Sequence, residues 1–366
     1  MDYNSYRRKS RFFKIGTVGI GGNSPISIQS MTNTDTHDAA ATYNQVLELQ
    51  NSGCDIIRIA VPDIESAATI SYLKEKDIKV PIVADIHFDY KIALEAIARG
   101  IDKIRINPGN IGSREKTEAV VRACQNKNIP IRIGVNSGSV EKNILAKYGA
   151  VTAEALVESA LSHAKILEEL DFRNVAISVK ASDVPTMIAA NRLLAEKTDY
   201  PIHLGVTEAG ARTRAVVKSS IGIGALLSEG IGDTVRVSLT DNPTEEVAAA
   251  KEILCALEIS ENPGMDIVSC PTCGRTKINL IEMVHEFEKR ARSEGIFDMN
   301  IKVALMGCAV NGPGEAREAD VGIAGGVSEG LVFRRGEIIK KVKEDKLIDE
   351  LISLIKSIKD EKDYVG

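Results

Sequence analysis

Residues 103–107 read Lys103-Ile104-Arg105-Ile106-Asn107, a short run rich in β-branched residues. Side chains alternate along a strand, so Arg105 and Asn107 share one face at the end of the strand that we predict over 103–106. The segment 115–125 that follows has the apolar spacing of an amphipathic helix. A strand followed by a helix is therefore the building unit of this part of the chain.

The same unit recurs between residues 26 and 260. Predicted strands cover residues 26–30, 56–60, 82–84, 103–106, 131–134, 175–179, 202–206 and 234–237. Predicted helices cover residues 42–50, 66–76, 91–98, 115–125, 153–169, 185–196, 211–228 and 244–257. Eight such units in about 235 residues fit an α/β fold of the closed (β/α)8 TIM barrel type better than an open doubly wound sheet.

The segment before the barrel carries Gly16, Gly19, Gly21 and Gly22 among apolar residues. These glycines and the turn at 23–25 predict a β-hairpin. A glycine loop that binds a dinucleotide opens a helix, whereas this one opens a strand, so the dinucleotide signal is weak. The basic residues before it resemble the start of a signal peptide, but the apolar stretch is too broken to act as one.

Composition narrows the class of protein. The 366 residues, 44% hydrophobic and 27% charged, predict a soluble globular protein of two domains. A net charge of -5 and 4% aromatic residues without Trp argue against a nucleic-acid surface. Six cysteines are too sparse for a disulfide framework, and no apolar run could span a bilayer, so we expect a cytoplasmic protein.

The barrel pattern ends near the turn at 262–264. The rest predicts a small α/β domain with strands at 302–305, 321–324 and 331–333 and a closing helix from Lys343. We therefore expect a substrate-binding barrel over 1–260 and a metal-binding domain over 261–366.

Two cysteine-bearing segments lie in the second domain. The first cysteine loop, residues 269–276, reads SCPTCGRT, and the second, residues 306–315, reads MGCAVNGPGE. Cys270 and Cys273 form a CxxC pair, Cys308 supplies a third thiol, and Glu315 is the nearest candidate for a fourth ligand. A zinc ribbon would need a second CxxC, so this set favours an iron–sulfur cluster, with zinc or a redox disulfide as alternatives.

Polar residues recur at the C-terminal ends of the barrel strands, where TIM-barrel active sites lie. They are Arg58, Asp85, His87, Arg105, Asn107, Arg132, Asn136, Ser178, Lys180, Glu208, Arg236 and Ser238. Five of them are cations on five different strands, and they would repel one another unless an anion lay between them. A diphosphate fits this charge better than structural ion pairs do, and the turn 107–110 could add backbone N–H donors.

Glu208 is the one acidic residue at the end of the late strands. It could carry a proton to a departing oxygen, or it could serve only as an electrostatic strut for Lys180 or Arg236. Asp85 and His87 are candidate substrate contacts; the other four histidines have no metal-ligand spacing and are interpreted as structural.

The two cysteine loops, together with ADIHFDY, KIRINPGN, IRIGVNSGS, SVKAS and GVTEAG in the barrel, resemble the bacterial 4-hydroxy-3-methylbut-2-enyl diphosphate synthases of the methylerythritol phosphate isoprenoid pathway. The resemblance covers nearly the whole chain. It implies a [4Fe-4S] cluster on Cys270, Cys273, Cys308 and Glu315. It also implies the substrate 2-C-methyl-D-erythritol 2,4-cyclodiphosphate, an electron donor that is flavodoxin or ferredoxin, and a head-to-tail homodimer whose active sites are shared between subunits.

Two other functions remain open from the residues alone. One is a non-redox barrel transferase with structural zinc in the cysteine loops. The other is a non-enzymatic iron–sulfur carrier, for which the cationic barrel rim would have no purpose.

Overall fold

The computed structural model describes residues 3–107, 111–260, 264–308 and 317–363, with side chains of the last helix described to residue 359. The chain divides into two compact units, 1–260 and 261–366. Most of the predicted boundary turn, the tip of the turn 107–110 and the predicted ligand Glu315 lie outside the described residues.

The first unit begins with a hairpin and continues with strands and helices in alternation. Its strands are β1 Phe13–Ile15, β2 Val18–Ile20, β3 Ser27–Met31, β4 Ile56–Ala60, β5 Ile82–Asp85, β6 Lys103–Ile106, β7 Ile131–Asn136, β8 Val175–Lys180, β9 His203–Leu204 and β10 Thr234–Val235. Its α-helices are α1 Ala39–Asn51, α2 Ala68–Lys74, α3 Tyr90–Ala98, α4 Arg114–Lys127, α5 Lys142–Tyr148, α6 Ala153–Glu169, α7 Val184–Lys197, α8 Arg212–Ser228 and α9 Pro243–Ala256. Helix α5 is an addition to the predicted set.

Strands β3 to β10 form a parallel barrel. Neighbours in the chain are neighbours in the sheet, and β10 returns to pair with β3. A bridge between Ile177 and Ile202, with the Ile177 N–H donating to Pro201 O at 2.9 Å, joins β8 to the start of β9. The predicted TIM barrel is confirmed.

Aspartate side chains cap the N-termini of three helices that follow barrel strands. Asp38, Asp89 and Asp183 each accept a hydrogen bond from a backbone N–H in the first turn of α1, α3 and α7. Such caps satisfy N–H groups that have no partner within the helix. The first turns of these three helices are thereby stabilised at the ends that face the loops.

The hairpin closes the N-terminal end of the barrel. Phe13, Ile15 and Ile20 pack against Ile56 and other residues low in the barrel strands, namely Val83 and Ala176. Apolar side chains therefore fill the barrel interior at this end, and TIM-barrel active sites lie at the opposite, C-terminal end.

The barrel strands separate apolar from polar residues. On β6, Ile104 and Ile106 are fully buried against the helices, while Lys103 and Arg105 alternate with them and are also buried. TIM-barrel interiors are normally filled by branched aliphatic side chains. Here the interior carries charge, which is costly unless function requires it.

The second unit is a five-stranded mixed sheet covered by helices. Its elements are β11 Asp266–Ser269, α10 Leu280–Ser293, β12 Lys302–Met306, β13 Val321–Gly325, β14 Glu329–Arg334, β15 Glu337–Lys343 and α11 Leu347–Asp363. Lys343, predicted to open the last helix, instead ends β15. That edge strand is exposed along nearly its whole length and so lacks the alternating pattern that identifies a half-buried strand.

Candidate active site

The strand register brings the predicted polar residues side by side. Asp85 on β5 pairs with Arg105 on β6, and Arg105 pairs with Arg132 on β7. Asn136 at the end of β7 pairs with Lys180 at the end of β8. Because these strands are parallel, their side chains converge at the C-terminal end of the barrel.

Asp85 is the carboxylate at the centre of the cations. Its Oδ1 accepts a hydrogen bond from Arg105 Nη1 at 3.1 Å, and its Oδ2 lies 3.8 Å from Arg58 Nε. Burial alone would raise the pKa of Asp85, but Arg58, a hydrogen bond with His87 and Arg105 outweigh it and hold that pKa well below its usual range. Asp85 is therefore ionised at any physiological pH.

Arg105 connects three strands. Besides Asp85, its Nη1 lies 3.0 Å from His87 Nε2, and its Nη2 donates to the Gly134 carbonyl at 3.3 Å. Gly134 allows this approach, since a Cβ there would lie 2.4 Å from Arg105 Nε. The guanidinium of Arg105 is thus held in one orientation.

Two buried cations lack a carboxylate partner among the described residues. Arg132 is 1% exposed and Lys180 7% exposed, and neither side chain forms an ion pair with any residue that the structure describes. Burial, together with neighbouring cations, lowers the pKa of both groups, and burial lowers the pKa of Arg58 to about 10. The interior therefore holds more positive charge than its carboxylates balance.

Arg236 has a partner that the sequence did not reveal. Its Nε and Nη2 each lie 3.3 Å from a carboxylate oxygen of Glu246, which also accepts hydrogen bonds from Ser30 Oγ at 2.7 Å and the Leu239 N–H at 3.2 Å. Glu246 is 4% exposed and lies in the first turn of α9. In the sequence it resembles an ordinary acidic residue near a helix start, so no signal distinguished it.

A cavity of about 620 Å³ opens at this end of the barrel. Of the predicted site residues, it is lined by His87, Arg105, Asn107, Asn136 and Glu208. Arg58, Asp85, Arg132, Lys180 and Arg236 lie in the adjoining charged interior, Ser178 is buried on β8, and Ser238 follows β10. Another cavity, about 510 Å³ between α8 and α9, contains none of the predicted residues and has mostly apolar walls.

Glu208 lies exposed in the wall of the first cavity with a left-handed backbone, φ 51°. This conformation is unusual for a residue with a side chain and marks functional sites more often than chance. Among the described residues no ion pair joins Glu208 to Lys180 or Arg236, the partners that a purely electrostatic strut would need.

The two cysteine loops follow adjacent parallel strands. Ser269 at the end of β11 pairs with Leu305 on β12, so both loops leave the same edge of the sheet. The Gly307 N–H donates to Cys270 Sγ at 3.2 Å, and the Lys277 N–H donates to Gly307 O at 3.0 Å. A Cβ at position 307 would lie 2.8 Å from Thr276 Cγ2, so glycine is what allows the loops to approach.

Cys270, Cys273 and Cys308 are free thiols. A hydrogen bond from the backbone of Arg275 lowers the pKa of Cys273, which favours its thiolate form. Within 3–107, 111–260, 264–308 and 317–363, no three Cys, His, Asp or Glu side chains are gathered around one possible ion position. Glu315 lies outside those ranges.

Family profiles and similar proteins match both units of the chain. The profile of the GcpE TIM-barrel domain matches residues 10–251, and that of the GcpE protein C-terminal domain matches residues 266–357. Three similar proteins are each named 4-hydroxy-3-methylbut-2-en-1-yl diphosphate synthase (flavodoxin). The protein of Clostridium perfringens is 60% identical over 96% of this chain and 99% of its own. Those of Clostridium acetobutylicum and Geobacter sulfurreducens are 57% and 54% identical, over 94% and 97% of this chain and 98% and 99% of their own.

Proposed function

This chain belongs to the GcpE family of 4-hydroxy-3-methylbut-2-en-1-yl diphosphate synthases, and we propose from its geometry how its own residues perform the family reaction. The enzyme is an iron–sulfur oxidoreductase that opens the ring of 2-C-methyl-D-erythritol 2,4-cyclodiphosphate reductively. Two electrons and a proton enter, the C2–O bond to phosphate breaks, the C3 hydroxyl leaves as water, and (E)-4-hydroxy-3-methylbut-2-enyl diphosphate is formed.

The diphosphate is held by the barrel cations. Arg105 is oriented by Asp85 and Gly134, and Arg132 and Lys180 have no carboxylate partner among the described residues. A bound dianion would offset the mutual repulsion of these buried groups. The uncompensated interior charge is the observation that carries this assignment. Arg58, Asn107, Asn136, Arg236 and Ser238 complete the proposed contacts, with Asp85 and His87 beside them.

A [4Fe-4S] cluster on Cys270, Cys273, Cys308 and Glu315 would supply the electrons one at a time, because no side chain of the barrel can store them. The donor set fits: three free thiols lie on loops at one sheet edge, and the Gly307 N–H already donates to Cys270 Sγ. Hydrogen bonds of this type to cysteine sulfur tune the potentials of iron–sulfur centres. A structural zinc ribbon would call for a second CxxC pair, whereas Cys308 stands in its loop without one.

Glu208 is the proposed proton carrier for the hydroxyl that leaves. It lines the cavity beside Arg105 and Asn107, and the substrate would exclude water from its carboxylate on binding. The cations below hold the phosphate end, so the carbon chain faces this residue.

We further propose a head-to-tail homodimer with active sites shared between subunits. The barrel chain reaches Glu258 and Ile259 beside Pro25 and Ile26, at the N-terminal end of the barrel. The cations lie at the other end, so a cluster domain from a second copy is the simpler way to complete the site. Mixing Cys273→Ser chains with Glu208→Gln chains should then restore activity in heterodimers, and confirmed heterodimers without activity would contradict sharing.

The electron donor is a flavodoxin, as in the names of the relatives, or a ferredoxin. We place the enzyme in the cytoplasm, because its free thiols and its reductive chemistry need a reducing compartment. No helix that the structure describes is long and apolar enough to cross a membrane.

The deciding experiment is anaerobic incubation of the reduced protein with the cyclodiphosphate, followed by detection of the allylic diphosphate. A brown protein that forms this product supports the assignment. A colourless protein with stoichiometric zinc and no product would indicate the non-redox transferase instead. A brown protein that accepts electrons but neither binds nor converts the substrate would indicate an electron carrier.

A further inference from the structure

Phe88 is an exposed aromatic residue in the wall of the cavity at the C-terminal end of the barrel. It lines that cavity together with Arg105 and Glu208, and it is 73% exposed. Of the other described residues in this lining, only Val140 has an apolar side chain, and it is 8% exposed. Single exposed apolar residues are ordinary on protein surfaces, so exposure alone assigns no role to Phe88.

The backbone of Phe88 is in an unusual conformation, with φ 65°. The Asp89 N–H donates to the His87 carbonyl at 2.8 Å, so Phe88 is the central residue of a three-residue γ-turn. With a positive φ this turn is rare and strained, and a bulky side chain is seldom found in it. Every other non-glycine residue with a positive φ in the described ranges is polar. The Phe88 ring is therefore kept at this position against the conformational preference of the chain.

Both neighbours of Phe88 are fixed by side-chain contacts. His87 Nε2 lies 3.0 Å from Arg105 Nη1, and Asp89 caps α3 by accepting a hydrogen bond from the Lys91 N–H at 2.9 Å. The ring centroids of His87 and Phe88 are 5.8 Å apart. The side chain beside the Phe88 ring thus contacts the guanidinium proposed to hold phosphate. Strained residues persist only where their surroundings hold them, and they cluster at ligand sites.

Phe88 and Glu208 lie on opposite sides of the mouth of the barrel. Phe88 follows β5 and Glu208 follows β9, which are the third and the seventh of the eight barrel strands. Both residues line the same cavity, and both have a left-handed backbone. A ligand whose phosphate end rests on the cations would present its carbon end between a carboxylate and an aromatic ring.

We propose that the Phe88 ring covers the methyl-bearing carbon end of the bound cyclodiphosphate, holds it toward Glu208 and keeps water from it. The inference rests on the proposed function for the identity of the ligand. Only the carbon end of the cyclodiphosphate has apolar surface, and covering that surface with an aromatic ring is favourable in water. The cations attract any small dianion, so Phe88 adds selection for a ligand with an apolar end.

The test compares two ligands on the unreduced holoenzyme, with no electron donor present so that no turnover occurs. Titration calorimetry measures Kd for the cyclodiphosphate and for inorganic pyrophosphate, which has two phosphates and no carbon. Phe88→Asn removes the ring but keeps a residue that tolerates a positive φ. It should weaken cyclodiphosphate binding by about tenfold and leave pyrophosphate binding unchanged. Phe88→Leu, which retains apolar bulk, should recover most of the loss.

A control and a second measurement separate ligand contact from a structural role. Phe12→Ala removes another exposed ring, 57% exposed and outside the lining of this cavity, and should bind both ligands as the natural protein does. Phe88→Asn and Phe88→Gly should melt at or above the temperature of the natural protein, because both residues adopt a positive φ more readily. A Phe88 that served only the fold would lower the melting temperature when removed.

Undiminished cyclodiphosphate binding by Phe88→Asn would overturn the inference and leave the proposed function intact. Equal losses for the two ligands would also overturn it, because Phe88 would then act on the cations through His87. Dissociation of dimers of this variant, measured by sedimentation, would assign Phe88 to a contact between copies and overturn it as well. Pyrophosphate binding without cyclodiphosphate binding by the natural protein would remove the proposed substrate, and the inference with it.

Discussion

Arg105 and Asp85 are paired twice, once as neighbours in the register of β5 and β6 and once through an ion pair of 3.1 Å between Nη1 and Oδ1. The backbone thus determines which carboxylate meets which guanidinium. Asp85 also lies 3.8 Å from Arg58, so one carboxylate balances two buried cations.

Asp85→Asn should destabilise the substrate-free protein by about 3–5 kcal/mol, because buried cations lose their counter-ion. Thermal melting measures this loss, and added sulfate should restore much of it by replacing the charge. Asp77→Asn, in an exposed pair with Lys79, is the control and should change little. An unchanged melting temperature for Asp85→Asn would show that Asp85 does not balance this charge.

The contribution of Asp85 to folding stability should also depend on pH. The pKa of Asp85 is held well below its usual range, so its contribution to stability is fully present above the unfolded carboxyl pKa of about 3.9. That contribution is lost only as pH falls below this value toward the folded pKa. The stability gap between the natural protein and Asp85→Asn should therefore stay constant from neutral pH to about pH 5 in denaturant titrations.

Gly134→Ala should raise KM by about tenfold or more while the fold persists. The new Cβ would lie 2.4 Å from Arg105 Nε and would push the guanidinium out of the orientation set by Asp85. Gly224→Ala, on α8 and outside the lining of this cavity, is the control, since a Cβ there meets nothing within 4 Å. Equal KM values for the two variants in steady-state assays would argue against precise placement of Arg105.

Glu246→Ala should cost about 3–5 kcal/mol of unfolding free energy, since it leaves Arg236, whose side chain is only 15% exposed, without its carboxylate. The residue next to Glu246, Glu245, pairs with Arg212 at the surface. The Glu245 side chain is 38% exposed and the Arg212 side chain is 66% exposed. Glu245→Ala should cost less than about 1 kcal/mol. Urea denaturation of both variants tests the contrast, and similar losses would contradict the buried role of Glu246.

His37 should titrate above its ordinary value of 6.5, because hydrogen bonds to Asp35 and then Asp63 raise its pKa. Its Nδ1 lies 2.8 Å from Asp35 Oδ1 and its Nε2 lies 3.0 Å from Asp63 Oδ2, which links the loops after β3 and β4. A raised pKa means that the link stabilises the protein below pH 6.5 and is lost as pH rises through the folded value. An NMR titration measures the shift, which Asp63→Asn should reduce.

Cys273→Ser should abolish the absorption near about 400 nm expected of an iron–sulfur protein, with the barrel still able to bind sulfate. Arg105→Ala with Arg132→Ala should do the opposite, retaining the chromophore and losing turnover. Anaerobic spectra and assays on both proteins check this division. Loss of the chromophore in the arginine variant would contradict independent roles for the two units.

The barrel and its active end could be predicted because they depend on local pattern. Alternation along each strand assigns Arg58, Arg105 and Arg132 to the interior, and recurrence of the strand-helix unit implies closure. The same alternation applies to Lys103, two residues before Arg105, but only its burial at 2% marks it as exceptional. Strand β15 was not predicted, because a mostly exposed edge strand lacks the alternation of apolar and polar residues that identifies a strand in a sequence.

The sequence alone determined the fold class, the cysteine loops and the set of cations at the strand ends, because these depend on the order and spacing of residues. Only the tertiary structure decided which charges are neutralised. Asp85 pairs with Arg58 and Arg105, and Glu246 pairs with Arg236. Among the described residues, no carboxylate forms an ion pair with Arg132, Lys180 or Lys103. Coulomb energy depends on distance and burial, and neither can be obtained from positions along the chain.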